Sequence, residues 1–108
     1  MSLKKIQEDV DKWTGQFTPQ YWPPHEILAR LAEETGELAR EVNHLFGTKK
    51  KKKDEKENSL GQELCDVIFT VVCMANSQGI SLQGEWEKLM AQKQYGRDQK
   101  RFKENKNA

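Results

Sequence analysis

LAEETGELAREVN, residues 31–43, has the period of an amphipathic helix with an irregularity in it. At about 100° per residue, Ile27, Leu31, Leu38, Val42 and Leu45 fall along one side, and Glu34 falls among them, with Glu37 and Glu41 on the same flank. A carboxylate in an apolar stripe loses hydration unless a cation meets it. The stretch therefore specifies a helix and marks acids that a solvent-facing role does not account for.

Working outward, this helix starts at the Pro23-Pro24 pair, where Pro24 suits the first turn, and runs to Phe46, where Gly47 stops it. Residues 48–58, with five consecutive lysines followed by mixed charges, cannot bury an apolar face and read as a mobile charged loop. No aromatic residue is interleaved to stack on bases, so no specific nucleic-acid binding is expected. Ser59 with Gln62 then forms a capping box that opens the next helix. That helix, LGQELCDVIFTVVCMANS, is apolar on nearly every side and is predicted to be the most buried element. Gly79 ends it and Ser81 caps a last helix with Leu82, Trp86, Leu89 and Met90 on its inner face. Residues 98–108 lose the period and are expected to fray. Upstream, Leu3, Ile6, Val10 and Trp13 mark a short first helix over about residues 2–13. Between it and the proline pair, TGQFTPQYWPP is an ordered loop whose rings cover something. The pattern is all-α, four helices, with no convincing strand.

A chain of 108 residues is one domain, and one this small buries a modest core alone, which makes oligomerisation an expectation. Hydrophobic residues at 35% against charged residues at 32% fit a bundle of long amphipathic helices, and the net charge of +1 excludes little. No apolar run reaches the roughly 18–20 residues that span a bilayer, and the N-terminus lacks a signal-peptide core, so a cytoplasmic protein is expected. Cys65 and Cys73, about 12 Å apart along one helix, cannot bridge each other and read as buried small apolar residues.

The third helix repeats the irregularity of the second. Glu63 and Asp66 sit three apart on a helix otherwise clad in Leu, Val, Ile, Phe and Met, as Glu34 and Glu37 do on theirs. Residues at that spacing have Cβ atoms about 5–6 Å apart, and if the two helices pack antiparallel the pairs face each other. Four carboxylates in a low-dielectric cleft repel, so the pattern calls for a cation. Oxygen ligands point to a hard divalent ion, Mg²⁺ first and Mn²⁺ next, which engages substrate phosphates. A carboxylate-bridged di-iron site is the competing metal, since Glu41-Val-Asn-His44 supplies one Glu-x-x-His step, but a second step is absent. Pairing of the acids with Arg30 and Arg40 is the structural alternative. Gly36, in mid-helix between two of the acids, costs about 1 kcal/mol relative to Ala and implies close approach of another helix or a ligand.

Glu33-Glu34-Thr35-Gly36-Glu37, twenty-five further residues, then Glu63-Leu64-Cys65-Asp66 resembles the EExxE…ExxD signature of the MazG-like nucleoside triphosphate pyrophosphohydrolases, over roughly residues 20–97. The resemblance implies an all-α chain that interleaves with a second copy into a multi-helix bundle, as a homodimer or homotetramer. It implies hydrolysis of NTPs or dNTPs to the monophosphate and pyrophosphate, in nucleotide-pool housecleaning. Metal ligands and catalytic residues would be Glu34, Glu37, Glu63 and Asp66, supported by Glu33 and Glu41. Bound Mg²⁺ would orient the triphosphate and acidify a water for in-line attack at the α-phosphorus, with a glutamate as general base. Relatives place a Lys-Asn and an Arg near the end of the last helix; here Lys88, Lys93, Tyr95 and Arg97 stand there without a clear Asn. Trp22, His25 and His44 are candidates for the base pocket. The alternative function is a catalytically weak helical oligomeric interaction module, in which any one of the four acids could be lost without penalty.

Overall fold

The computed structural model describes residues 1–48 and 59–95, the side chain of Tyr95 excepted. The expected charged loop (beyond Thr48), the frayed tail and Arg97 lie outside the described residues. Four α-helices and no strand occur among them: α1 Leu3–Thr14, α2 Pro24–Phe46, α3 Leu60–Ser77 and α4 Leu82–Tyr95.

The helix ends follow local chemistry. Pro23 takes the cap position of α2 without a side-chain bond, and its carbonyl accepts from Glu26 N and Ile27 N. Gly47 N donates to Asn43 O, and a Cβ at Gly47 would lie 2.6 Å from that oxygen, so the close approach to the last turn of α2 requires glycine. The capping box of α3 is complete: Ser59 Oγ accepts from Gln62 N at 3.0 Å and Gln62 Oε1 accepts from Ser59 N at 2.9 Å. Gly79, at φ 66°, supplies the left-handed residue that turns the chain from α3 into α4, where Ser81 Oγ accepts from Gly84 N.

The helix α3 packs chiefly on α2, with α1 against its other end and α4 touching α1. Ile27, early in α2, shares a cavity wall with Phe69, Thr70 and Cys73, late in α3, whereas Glu34 meets Glu63 and Asp66. The two helices therefore run antiparallel, as the facing carboxylate pairs require.

The core is thin. Val10, Ile27, Val72 and Ala75 are its buried apolar residues. As expected, α3 carries more buried residues than any other helix among the described residues, yet Leu64, Ile68, Phe69 and Val71 are exposed in the single chain, because α2 and α1 cover only part of its circumference. Val42 and Leu45 on α2 and Trp86 and Leu89 on α4, all assigned to inner faces, are likewise exposed, while Leu82 and Met90 are half-buried. Cys65, expected to be buried, is exposed on α3; Cys73 is half-buried, and burial pushes its thiol pKa up. No single helix among the described residues is long and apolar enough to cross a membrane.

A polar hub ties α1 to the end of α3 and the start of α4 where apolar contacts are few. Gln7 Nε2 donates to Asn76 Oδ1 and to the Ile80 carbonyl, both at 2.8 Å, and Gln7 Oε1 accepts from Leu82 N at 2.8 Å. Asn76 Nδ2 in turn donates to Gln7 O and to Tyr21 Oη, whose hydroxyl donates to Asp11 Oδ1. Burial, with the neighbouring Asp11, pushes the Tyr21 phenol pKa up, so it remains a neutral donor. Gln7→Leu leaves Asn76 Oδ1 and Leu82 N without these partners and is expected to cost about 2 kcal/mol, a fall of roughly 10 °C in Tm for a domain of this size. A melting curve superimposable on wild type would remove Gln7 from the support of the α1–α3–α4 corner.

Candidate active site

The α2–α3 seam carries two adjoining cavities. One, of about 500 Å³, is walled by carboxylates: Glu33, Glu34 and Glu37 from α2, Glu63 and Asp66 from α3, with Arg30 and Gly36. Carboxylate oxygens of Glu34, Glu63 and Asp66 lie within 4.8 Å of one another. Glu34 and Glu63 are buried, Asp66 exposed, so the trio opens to solvent through Asp66. Uniform burial of the acids, as the helical wheel implied, is thus found for only part of the set: Glu37 is also exposed, on the wall of the acidic cleft.

Arg30, one turn before Glu34, places Nη2 2.7 Å from Glu34 Oε1 and Nη1 3.2 Å from Glu33 Oε2. This is one of the two arginine pairings read from the sequence. It neutralises one acid and leaves Glu63 and Asp66 beside it.

The second cavity, of about 650 Å³, is largely apolar and shares Arg30, Glu34 and Asp66 with the first. Its rings come from Trp13 on α1, Phe17, Tyr21 and Trp22 in the loop, and Phe69 on α3. Trp13 meets Phe17 and Phe69 edge-on at centroid distances of 5.0 and 5.8 Å. The aromatic loop read from the sequence therefore covers a cavity next to the acids. Trp13, Phe69, Thr70 and Cys73 were not singled out for this role. The signal was present in the register of α3, where Asp66, Phe69, Thr70 and Cys73 share a face at steps of three, four and seven.

Other candidates lie elsewhere. Glu41 is buried but lines neither cavity, and neither do His25, which is exposed, and His44, which is half-buried. Lys88 is exposed and pairs with Glu85 at 3.7 Å; Lys93 is exposed near the end of α4. A Cβ placed on Gly36 meets no atom within 4 Å, so no helix of the described chain approaches it, and Gly36 instead borders the acidic cleft.

The chain is similar to known proteins over most of its length. Residues 23–102 match the model of the MazG nucleotide pyrophosphohydrolase domain. An uncharacterised Bacillus subtilis protein, YpjD, is 48% identical over 89 residues, 82% of this chain and 80% of its own length. The crystal structure of YPJD from Bacillus subtilis, provisionally described as a pyrophosphatase, superposes with a TM-score of 0.75 at 47% identity, covering 85% of this chain and 94% of the other. A Bacillus-conserved MazG protein, described as a nucleotide pyrophosphohydrolase, gives 0.71 at 38% identity, covering 100% and 97%. With the sequence, the helical architecture and the carboxylate seam in agreement, the chain belongs to the MazG family of nucleotide pyrophosphohydrolases.

Proposed function

We propose that this enzyme hydrolyses a nucleoside triphosphate to the monophosphate and pyrophosphate, with Mg²⁺ or Mn²⁺ held by Glu34, Glu63 and Asp66. The observation that carries the reading is the wall shared by the acidic cleft and the aromatic cavity, which offers neighbouring surfaces to the two ends of a nucleotide.

The donor set fits the ion. Adjacent oxygens of an octahedral Mg²⁺ site stand about 3.0 Å apart and opposite ones about 4.2 Å, so three carboxylate oxygens within 4.8 Å of one another reach a common ion by side-chain shifts of about 1–2 Å. Neither His nor Cys joins the trio, which favours a hard cation over zinc, and His44 lies away from the cleft, which disfavours di-iron. When bound, the cation supplies charge neutralisation for the triphosphate and acidifies water. Glu34 and Glu63, held by burial, fix the ligand geometry. Glu33 and Glu37 line the cleft outside the trio; Glu33 is engaged by Arg30, which leaves Glu37 to accept the proton of an attacking water. The rings of Trp13, Phe17, Trp22 and Phe69 receive the base, stacking being worth about 1–3 kcal/mol per base.

The exposed apolar residues of α2 and α3 support a homo-oligomer in which a second copy covers them. The test of the activity is a panel of NTPs and dNTPs with Mg²⁺, following pyrophosphate and monophosphate together. At least one is expected to yield both in equal amounts; release of neither from any of them overturns the reading. Gly36→Ala offers a further check, because the replacement removes a helix penalty of about 1 kcal/mol and has room for its methyl group in the single chain. Its Tm is expected to rise while its KM for the nucleotide also rises, since the methyl group narrows the cleft. A rise in Tm with unchanged KM would place the nucleotide away from Gly36.

A further inference from the structure

Among the described residues, Arg30 contributes the one basic side chain in the walls of these two cavities. Its side chain is 51% exposed, so it is not locked by packing, and both of its recorded partners are acids, Glu34 at 2.7 Å and Glu33 at 3.2 Å. The Glu34 oxygen it touches belongs to one of the three carboxylates that converge within 4.8 Å. A guanidinium at that position lowers the repulsion among the three acids, but it also repels a divalent ion brought to the same group. A chain of phosphates joining the aromatic cavity to the acidic cleft passes Arg30, whose planar fork of donors matches phosphate oxygens as well as it matches a carboxylate.

We propose that Arg30 is an exchangeable counter-ion: it neutralises Glu34 in the nucleotide-free enzyme, releases it to the divalent cation, and turns to the triphosphate. The inference rests on the metal-dependent reading above and adds a coupling to it. Metal binding frees the guanidinium for phosphate, and phosphate compensates the guanidinium for the lost carboxylate, so each ligand strengthens the other through one side chain. Glu33, the guanidinium's other partner at 3.2 Å, keeps a partial hold during the exchange.

The test is Mn²⁺ titration followed by electron paramagnetic resonance on nucleotide-free wild type, Arg30→Gln and Arg30→Lys. It is paired with binding of a non-hydrolysable α,β-imido nucleoside triphosphate in the presence of metal. Without nucleotide, Arg30→Gln is expected to bind Mn²⁺ about fivefold more tightly, the upper end for release of a partly exposed ion pair. With metal present, it should bind the analogue about tenfold more weakly for loss of a charge-assisted phosphate contact. Arg30→Lys, which keeps the charge but not the fork, should fall between the two in both measurements. Circular dichroism confirms that the variants are folded. An Arg30 that merely braces Glu34 gives weaker Mn²⁺ binding in Arg30→Gln, and that result, or an unchanged affinity, overturns the proposal while leaving the metal site standing. Absence of Mn²⁺ binding by wild type overturns the metal reading of the cleft and this proposal with it.

Discussion

Asp66→Asn is expected to lower kcat/KM for the nucleotide by about 10²–10³-fold, the scale on which removal of one charge-stabilising group acts at a reacting centre, while leaving the metal-free protein as stable as wild type or more so. The replacement is nearly isosteric and exposed, so it opens no cavity. It takes one negative charge from a trio whose other two members, Glu34 and Glu63, are buried. Repulsion in the metal-free state therefore falls, while a ligand oxygen is weakened when the cation binds. Activity and stability are thus expected to move apart, and the increase in Tm produced by Mg²⁺ or Mn²⁺ should shrink. Glu63→Gln should show the same divergence. Exposed Glu8→Gln, on α1 and away from both cavities, should change neither quantity. Wild-type turnover by a folded Asp66→Asn enzyme would remove this residue from the site and dissolve the trio as a metal centre.

Much of this carboxylate cluster is legible in the sequence because both of its halves lie on strongly periodic helices. Glu34 in the α2 stripe and Glu63 with Asp66 in α3 are departures from a 3.6-residue pattern, and a departure is visible only where the pattern is clear. The caps were legible for the same local reason: Ser59 with Gln62, Gly47 and Gly79 act on groups within a turn of themselves. What could not be read was which acid joins which. Glu37 lies as close in sequence to Glu34 as Asp66 does to Glu63, yet Glu37 stays outside the trio, because the crossing of α2 and α3 chooses the members. The aromatic cavity was legible as a cluster of rings in the loop, but its α1 and α3 walls, Trp13 and Phe69, are long-range contacts that no local pattern encodes. The apolar residues that the pattern turns inward and this chain leaves exposed are a further gap. Hydrophobicity shows that Ile68, Leu64 and Trp86 avoid water, and is silent on whether this chain or another covers them.

Ile68→Glu addresses that silence and is expected to convert an assembly heavier than one 12.6 kDa chain into monomers at micromolar concentration. Leu64, Ile68 and Val71 are 46%, 49% and 38% exposed, and steps of four and three place them in one stripe along α3. In an isolated chain, a glutamate at position 68 projects into water and costs about 0.5 kcal/mol or less, as surface substitutions do. In an interface built from this stripe, the same glutamate is stripped of water with no cation supplied for it, at several kcal/mol per ion. In a two-fold assembly the penalty occurs twice, because the same patch serves both chains. The change in dimer dissociation constant is then on the order of 10⁴-fold or more. Sedimentation velocity on wild type and variant across a concentration series reads this directly, and circular dichroism separates dissociation from unfolding. A wild-type protein that sediments as a single chain, or a folded Ile68→Glu that keeps the wild-type mass, would show that α3 leaves this stripe to solvent.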